Sequence, residues 1–220
     1  MNMHDLSLAG AAFKALGSGA LFWPGQDLLC VSDLHLGKSE RIARRGGSQL
    51  PPYETHDTLT RLAHDLDVTQ ARTVICLGDS FDDLSAAHTL PEDARLWITR
   101  LQAGRRWVWI EGNHDPGPVE FGGTHLKELR VANIVFRHIA QAESSAEISG
   151  HFHPKATLHL RGRAVTRPAF LIDSARLIMP AYGTYTGGLR SSDAALRTLM
   201  HKGAQAVLTG ANPVAIPMPR

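Results

Sequence analysis

The chain of 220 residues reads as an α/β fold in which two β-sheets pack together with helices outside. Three observations predict this. In the first half, short apolar runs alternate with helical patterns. In the second half, strand-like runs follow one another with only turns between them. Finally, short polar blocks rich in Asp, Asn and His recur in step with these elements, three of them directly after apolar runs. The length suits one well-buried domain, spanning 1–220, better than two.

The first predicted strands are Leu28–Ser32, Thr73–Leu77 and Trp107–Ile110. Their continuous apolar character, with β-branched and aromatic residues, suggests burial on both faces. Between them, Leu59, Leu62, Ala63 and Leu66 follow the i, i+3, i+4, i+7 spacing after Pro51-Pro52. Ala94, Trp97, Ile98 and Leu101 do the same after Pro91, with Gly104 as a C-terminal stop. This β-α-β-α-β alternation predicts parallel strands. Beyond it, Val131–Phe136 reads as one strand, and Ala156–Leu160, Ala164–Ile172 and Arg176–Pro180 as an antiparallel meander. A helix over Ser191–Met200, capped by Ser191 or Ser192, and a hairpin over Ala206–Ile216 complete the chain.

Composition excludes little by itself. Hydrophobic residues make up 43% and charged residues 20%, and the formal net charge of +2 is no polycation that would argue for nucleic acid. Cys30 and Cys76 sit inside apolar runs and read as buried, reduced thiols, which fits a reducing compartment. The N-terminus has no basic leader, and no run approaches the roughly 18 apolar residues of a spanning helix, so a cytoplasmic protein with no membrane association is expected. The unusual count is twelve histidines.

Position gives the histidines meaning. The polar blocks are Asp33-Leu34-His35, Gly78-Asp79-Ser80-Phe81-Asp82, Gly112-Asn113-His114-Asp115 and Gly150-His151-Phe152-His153. In open α/β sheets, ligands bind beyond the carboxyl ends of strands, where Asp33, Asp79 and Asn113 stand. Asp33 and His35 lie two apart, as do His151 and His153, so on extended backbone each pair shares a side. Any one block has an ordinary explanation as a turn, a cap or a surface pair. Together and in this order they point to one metal centre. Oxygen donors mixed with imidazole suit manganese, iron or zinc, and two such ions a few ångströms apart make a phosphoester-cleaving centre.

This series of blocks resembles the calcineurin-like metallophosphoesterase superfamily, with His138 as its isolated histidine. The resemblance implies a four-layer α/β/β/α sandwich. Asp33, His35 and His153 would hold one ion, Asp79 would bridge, and Asn113, His138 and His151 would complete the second. His114 would reach the scissile phosphate without binding metal, oriented by Asp115, and Asp82 would orient a ligand histidine, a role Asp83 could also fill. His125 is the alternative to His138 but has no flanking strand, whereas Val131–Phe136 would deliver His138 to a sheet edge.

Wider stretches narrow the resemblance. Ala20-Leu21-Phe22-Trp23-Pro24, Ser32 to Lys38, Arg167-Pro168-Ala169-Phe170 and above all Pro180 to Leu189 are similar to the ligase-associated DNA damage response endonuclease (PdeM) family. Relatives often carry His where this chain has Asp82. The implied activity is a manganese-dependent phosphodiesterase and endonuclease, with iron or zinc as other candidate metals. Its substrate would be single-stranded or flexible DNA, and it would act in repair beside an ATP-dependent DNA ligase and an Lhr-type helicase. Lys38, Arg41, Arg44 and Arg45 after the first block, and Arg161, Arg163 and Arg167 after the last, would attract such a polyanion. Lys38, with Asn113 and His114, is the expected phosphate contact. Tyr182 and Tyr185 could stack on bases or anchor their loop. The rival readings are a same-fold hydrolase of a cyclic nucleotide or UDP-diacylglucosamine, and a non-catalytic adaptor.

Overall fold

A computed structural model describes residues 2–44, 46, 51, 53–117, 120–160 and 162–220. Pro52, Arg45 and Arg161 lie outside the described residues. The first sheet runs in spatial order β1 (Met3–Leu8), β2 (Ala11–Leu16), β3 (Leu21–Trp23), β4 (Leu28–Val31), β5 (Thr73–Leu77), β6 (Arg106–Ile110) and β7 (Thr124–Leu126). Neighbours are antiparallel from β1 to β4 and parallel from β4 to β7. Helices α1 (Lys38–Arg44), α2 (Glu54–Thr69), α3 (Leu84–Thr89) and α4 (Glu92–Gln102) lie within the crossovers from β4 to β6.

The second sheet contains β8 (Glu128–Val131), β9 (Ile134–Arg137), β10 (Glu147–Ser149), β12 (Arg163–Ile172), β13 (Arg176–Ile178), β14 (Gln205–Leu208) and β15 (Val214–Pro217). Its order is β15-β14-β12-β13-β10-β9-β8, with β11 (Lys155–Leu160) paired to the exposed half of β12. The meander from β11 to β13 is antiparallel, whereas β10 is parallel to both β13 and β9, so this sheet is mixed too. Helix α5 (Ala194–Leu199) covers its outer face.

Alternation within the apolar runs sorts the side chains into layers. Leu29, Val31, Val74, Cys76, Trp107 and Trp109 face α2 and α4 and pack on Leu59, Leu62, Leu66 and Ile98. Their neighbours Leu28, Cys30, Ile75, Leu77, Val108 and Ile110 face the second sheet and meet Phe136, Ile148, Phe170 and Leu177. The second sheet repeats the pattern, with Leu171, Ile178, Ala206 and Leu208 turned toward Leu196 and Met200. The layers are therefore helix, sheet, sheet, helix. Each fully buried side chain of this kind contributes ~1.5–3 kcal/mol, which is why one face of each strand is as apolar as the other.

Several elements differ from expectation. The strands β1 to β3 lie ahead of the first predicted strand, in a segment whose apolar pattern is broken by Lys14 and by glycines at the turns. Residues 131–136 are not one strand: the two-residue turn Ala132-Asn133, with Ala132 at a left-handed φ of 51°, separates β8 from β9. Helix α5 is capped by the Asp193 carboxylate, which accepts the Ala195 N–H, and not by Ser191 or Ser192. Among the described residues, no helix is long and apolar enough to cross a membrane.

Candidate metal centre

The carboxyl ends of β4, β5 and β6 open side by side on one edge of the first sheet, and the chain leaves each strand into a polar block. The first two loops run alongside one another. Asp33 N–H donates to the Gly78 carbonyl at 3.2 Å, His35 N–H to Asp79 at 2.9 Å and Leu36 N–H to Ser80 at 3.0 Å. Across the interface, β9 delivers His138, and His151 and His153 follow β10. Asp33, His35, Asp79, His151 and His153 all have left-handed backbone, with φ between 45° and 70°. Such backbone costs of order 1–3 kcal/mol per residue and persists where surrounding contacts over-determine it. The approach of the loops is close. A Cβ on Gly78, itself at φ +76°, would lie 2.5 Å from the His138 ring, and one on Gly150 would lie 1.8 Å from Ser32 Oγ.

Two groups of ligand atoms result. In the first, Asp33 Oδ1 lies 3.1 Å from His153 Nε2, which lies 3.4 Å from His35 Nε2. The His35 Nδ1–H donates to Asp82 Oδ1 at 2.9 Å, so the lone pair sits on Nε2 and faces the cluster. In the second, His138 Nε2 stands 3.0 Å from Asn113 Oδ1, 3.3 Å from Asp79 Oδ2 and 3.3 Å from His151 Nδ1. His138 Nδ1–H is held by the Leu77 carbonyl at 2.8 Å. The ligand atoms of Asp33, His35 and His153 lie within 4.8 Å of one another, and so do those of Asp79, His138 and His151. Imidazole nitrogens turned toward each other and toward carboxylates fit a cation in each group, and mixed oxygen and nitrogen donors fit a divalent transition metal.

Electrostatics reinforce this reading. Burial opposes ionisation of Asp79, yet its hydrogen bond with His138, the His138 charge and the His114 N–H outweigh burial and hold it at about 2. Burial likewise disfavours a charged His138, but the Asp79 hydrogen bond and the charges of Asp33 and Asp79 lift it to about 9. Asp33 is fully buried and still held below the usual carboxylate range, burial being overcome by the His153 hydrogen bond and charge. His151 is pushed down, first by burial and then by the His138 charge. A proton on His138 thus does for Asp79 what a cation would.

His114 stands between the groups. Its N–H donates to Asp79 Oδ1 at 2.8 Å, and its ring Nδ1–H to the Asp82 carbonyl at 2.8 Å. One of its ring nitrogens lies within 4.8 Å of ligand atoms of His35 and Asp79, closer to the cluster than expected of a residue apart from the metal. The expectation that Asp115 orients His114 is corrected. The Asp115 carboxylate instead accepts backbone N–H groups of Asp79, Ser80, Phe81 and Gly112, tying the second and third blocks together. Burial pushes Asp115 up to about 6, assisted by the Asp79 charge and opposed by those N–H donors.

Asp82 meets His35 as described, whereas Asp83 caps α3. Asp82 also pairs with Arg41 through Nε and lies 4.0 Å from Lys38 Nζ. Lys38 and Arg41 of α1 are thereby drawn toward the centre and partly buried beside it. Arg163 and Arg167 lie on the exposed half of β12. His125, contrary to expectation, is in a strand, β7, where its ring stacks on Trp109 away from both clusters. Tyr182 is an anchor and not a stacking platform. It is buried, its hydroxyl donates to Asp65 at 2.9 Å, and Arg61 covers its ring. Its loop in turn donates Tyr182 N–H to Ser32 and Gly183 N–H to Asp33. Sequence reading missed Arg61, Asp65 and Glu54; the buried Glu54 carboxylate binds Ser39 just after the first block. On a helix, these residues look like ordinary polar surface.

Comparison with known proteins agrees with this geometry. The family model for calcineurin-like phosphoesterases matches residues 27–172, which include every ligand atom named above. The crystal structure of Pseudomonas putida nuclease MPE is similar to this chain at 26% identity and a TM-score of 0.76, covering 97% of this chain and all 100% of that one. No curated protein matches the sequence.

Proposed function

The chain belongs to the calcineurin-like phosphoesterase family, and from that premise we propose that it is a dinuclear-metal phosphodiesterase that cleaves DNA. The observation that carries the proposal is the pair of ligand groups, Asp33 with His35 and His153, and Asp79 with Asn113, His138 and His151, side by side at one sheet edge. The likeness to a nuclease over 97% of the chain supports DNA as the substrate. Two divalent ions, taken here as Mn²⁺, would lower the pKa of a water between them and draw charge from the phosphoryl oxygens. The chain's own residues do the rest. Asp79 sits within reach of both groups, so its single carboxylate can serve both. Asp82 fixes His35 in the tautomer a metal requires. His114, with Nδ1 on the Asp82 carbonyl, presents Nε2, which in the imidazolium form hydrogen-bonds a phosphoryl oxygen or protonates the departing one. Such help is worth ~10²–10⁴-fold. Lys38, partly exposed beside Asp82, adds positive charge for the phosphate. A place in DNA repair beside an ATP-dependent ligase and an Lhr-type helicase rests on the sequence resemblance.

The test is protein stripped by a chelator, reloaded with Mn²⁺ and offered single- and double-stranded DNA, cyclic nucleotides and a UDP-linked lipid. Manganese-dependent DNA cleavage is expected. Turnover of a small ester with DNA untouched would transfer the proposal to the small-substrate reading. No turnover of any substrate would leave an adaptor.

A further inference from the structure

We propose that a basic groove beside the metal centre, floored by one face of β11 and β12 and walled by residues 190–192, carries the phosphate backbone of a single DNA strand as it leaves the site. The groove has a volume of ≈ 460 Å³. Its floor follows strand periodicity: Lys155, Thr157 and His159 share one face of β11, with Thr166 directly opposite Thr157. Arg190 and Arg220 complete the basic lining, and the Arg220 guanidinium is engaged by the Met200 and His201 carbonyls. No Asp or Glu is among its lining residues, and among the described residues neither Lys155 nor Arg190 has an Asp or Glu partner; the Lys155 ammonium donates to the Thr186 carbonyl at 3.5 Å. Lys38 and Arg41 differ in this respect, since Asp82 faces both.

The groove is joined to the centre by main chain. Leu189 N–H donates to the carbonyl of Phe152, the residue between His151 and His153, at 3.1 Å. Lys155 N–H then donates to Leu189 at 2.8 Å, and Ser191 N–H to Lys155 at 2.7 Å. One short ladder therefore holds two metal-ligand candidates at one end and Lys155 and Arg190 at the other. From Lys155 to His159 the floor extends ~13 Å, at about 3.3 Å per residue. Two cations without acidic partners, set side by side where a strand begins whose same face continues with the Thr157 hydroxyl, match consecutive phosphates of a backbone.

The proposal rests on the DNA-cleaving reading, and the experiment separates the two. Manganese-loaded protein is assayed on a dinucleotide and on a single-stranded oligonucleotide of about a dozen residues, across a salt series. Wild-type kcat/KM should be higher for the longer substrate and fall with salt. In Lys155→Gln/Arg190→Gln, the length advantage should shrink ~10-fold and the log–log salt slope should drop by about 1.4, or 0.7 for each lost phosphate contact. Arg190→Lys, which keeps the charge, should retain the advantage; its loss there would show that charge is not the cause and overturn the proposal. Wild-type length and salt dependence in the double variant would also overturn it while leaving DNA cleavage intact. If the wild type hydrolyses a generic diester and neither DNA substrate, the DNA reading itself falls.

Discussion

At the scale of single residues, His114 and Asp115 are adjacent in sequence and opposite in role. His114 turns its ring to the ligand groups, so His114→Ala should lower turnover on a generic diester by ~10²–10⁴-fold while both metals stay bound, as measured by elemental analysis. Metal loss would instead make it a ligand, which its distance to His35 and Asp79 allows. Asp115 faces four N–H donors, so Asp115→Asn puts an amide NH₂ against them and strands at least one. The expected cost is about 1–3 kcal/mol of folding stability, and at ~2–4 °C per kcal/mol the melting temperature falls by several degrees. The two roles could not be told apart from sequence. Gly-Asn-His-Asp advertises titratable chemistry at each position, and only the loop geometry shows which side chain points into the site and which holds the loops together.

At the scale of elements, what was legible followed burial. The runs of β4, β5 and β6 are apolar on both faces because helices cover one and a second sheet the other, and their ends fall within one residue of the predicted limits. The edge elements were less legible. In β1 only Leu6 and Leu8 are buried, and in β2 only Phe13, Ala15 and Leu16, with Lys14 between them, so no long continuous run marks these strands. The β8–β9 turn was hidden for a chemical reason. Turns with left-handed backbone at their first central residue favour Gly there, and this chain has Ala132 at φ 51°. Ala132→Gly should therefore raise stability by about 0.5–1 kcal/mol, read as a shift of a few degrees in thermal melting. Because β9 carries His138, the same strain lies one strand from the centre.

At the scale of the molecule, the centre joins the two sheets. Asp33, His35, Asp79 and Asn113 come from the first, and His138, His151 and His153 from the second. Metal binding should therefore stabilise the whole chain, by about 2.7 kcal/mol at a hundredfold excess over Kd, or roughly 5–10 °C in melting temperature. Without metal, the Asp79–His138 pair supplies part of this linkage, and its pH window follows from the shifts. Asp79 falls from 3.8 to about 2, so its contribution is complete above 3.8 and lost as pH drops through 2. His138 rises from 6.5 to about 9, so its contribution is complete below 6.5 and lost as pH climbs through 9. Denaturant melts of chelated protein should show this pair's contribution at its fullest between pH 3.8 and 6.5. Metal addition at pH 7 should expel the His138 proton, measured by calorimetry in buffers of differing ionisation enthalpy. The candidate ligands could be named from the sequence because chelation demands particular side chains. The division of each ligand group across two sheets was not, since it depends on how the sheets pack.

That division has a consequence for a chain emerging from a ribosome. Its first sheet is synthesised before His138, His151 and His153 exist, and neither ligand group is complete until they arrive. A truncated or half-folded copy can hold neither group's full set of donors. A metallophosphoesterase built this way thus lacks a complete centre in every form but the finished one.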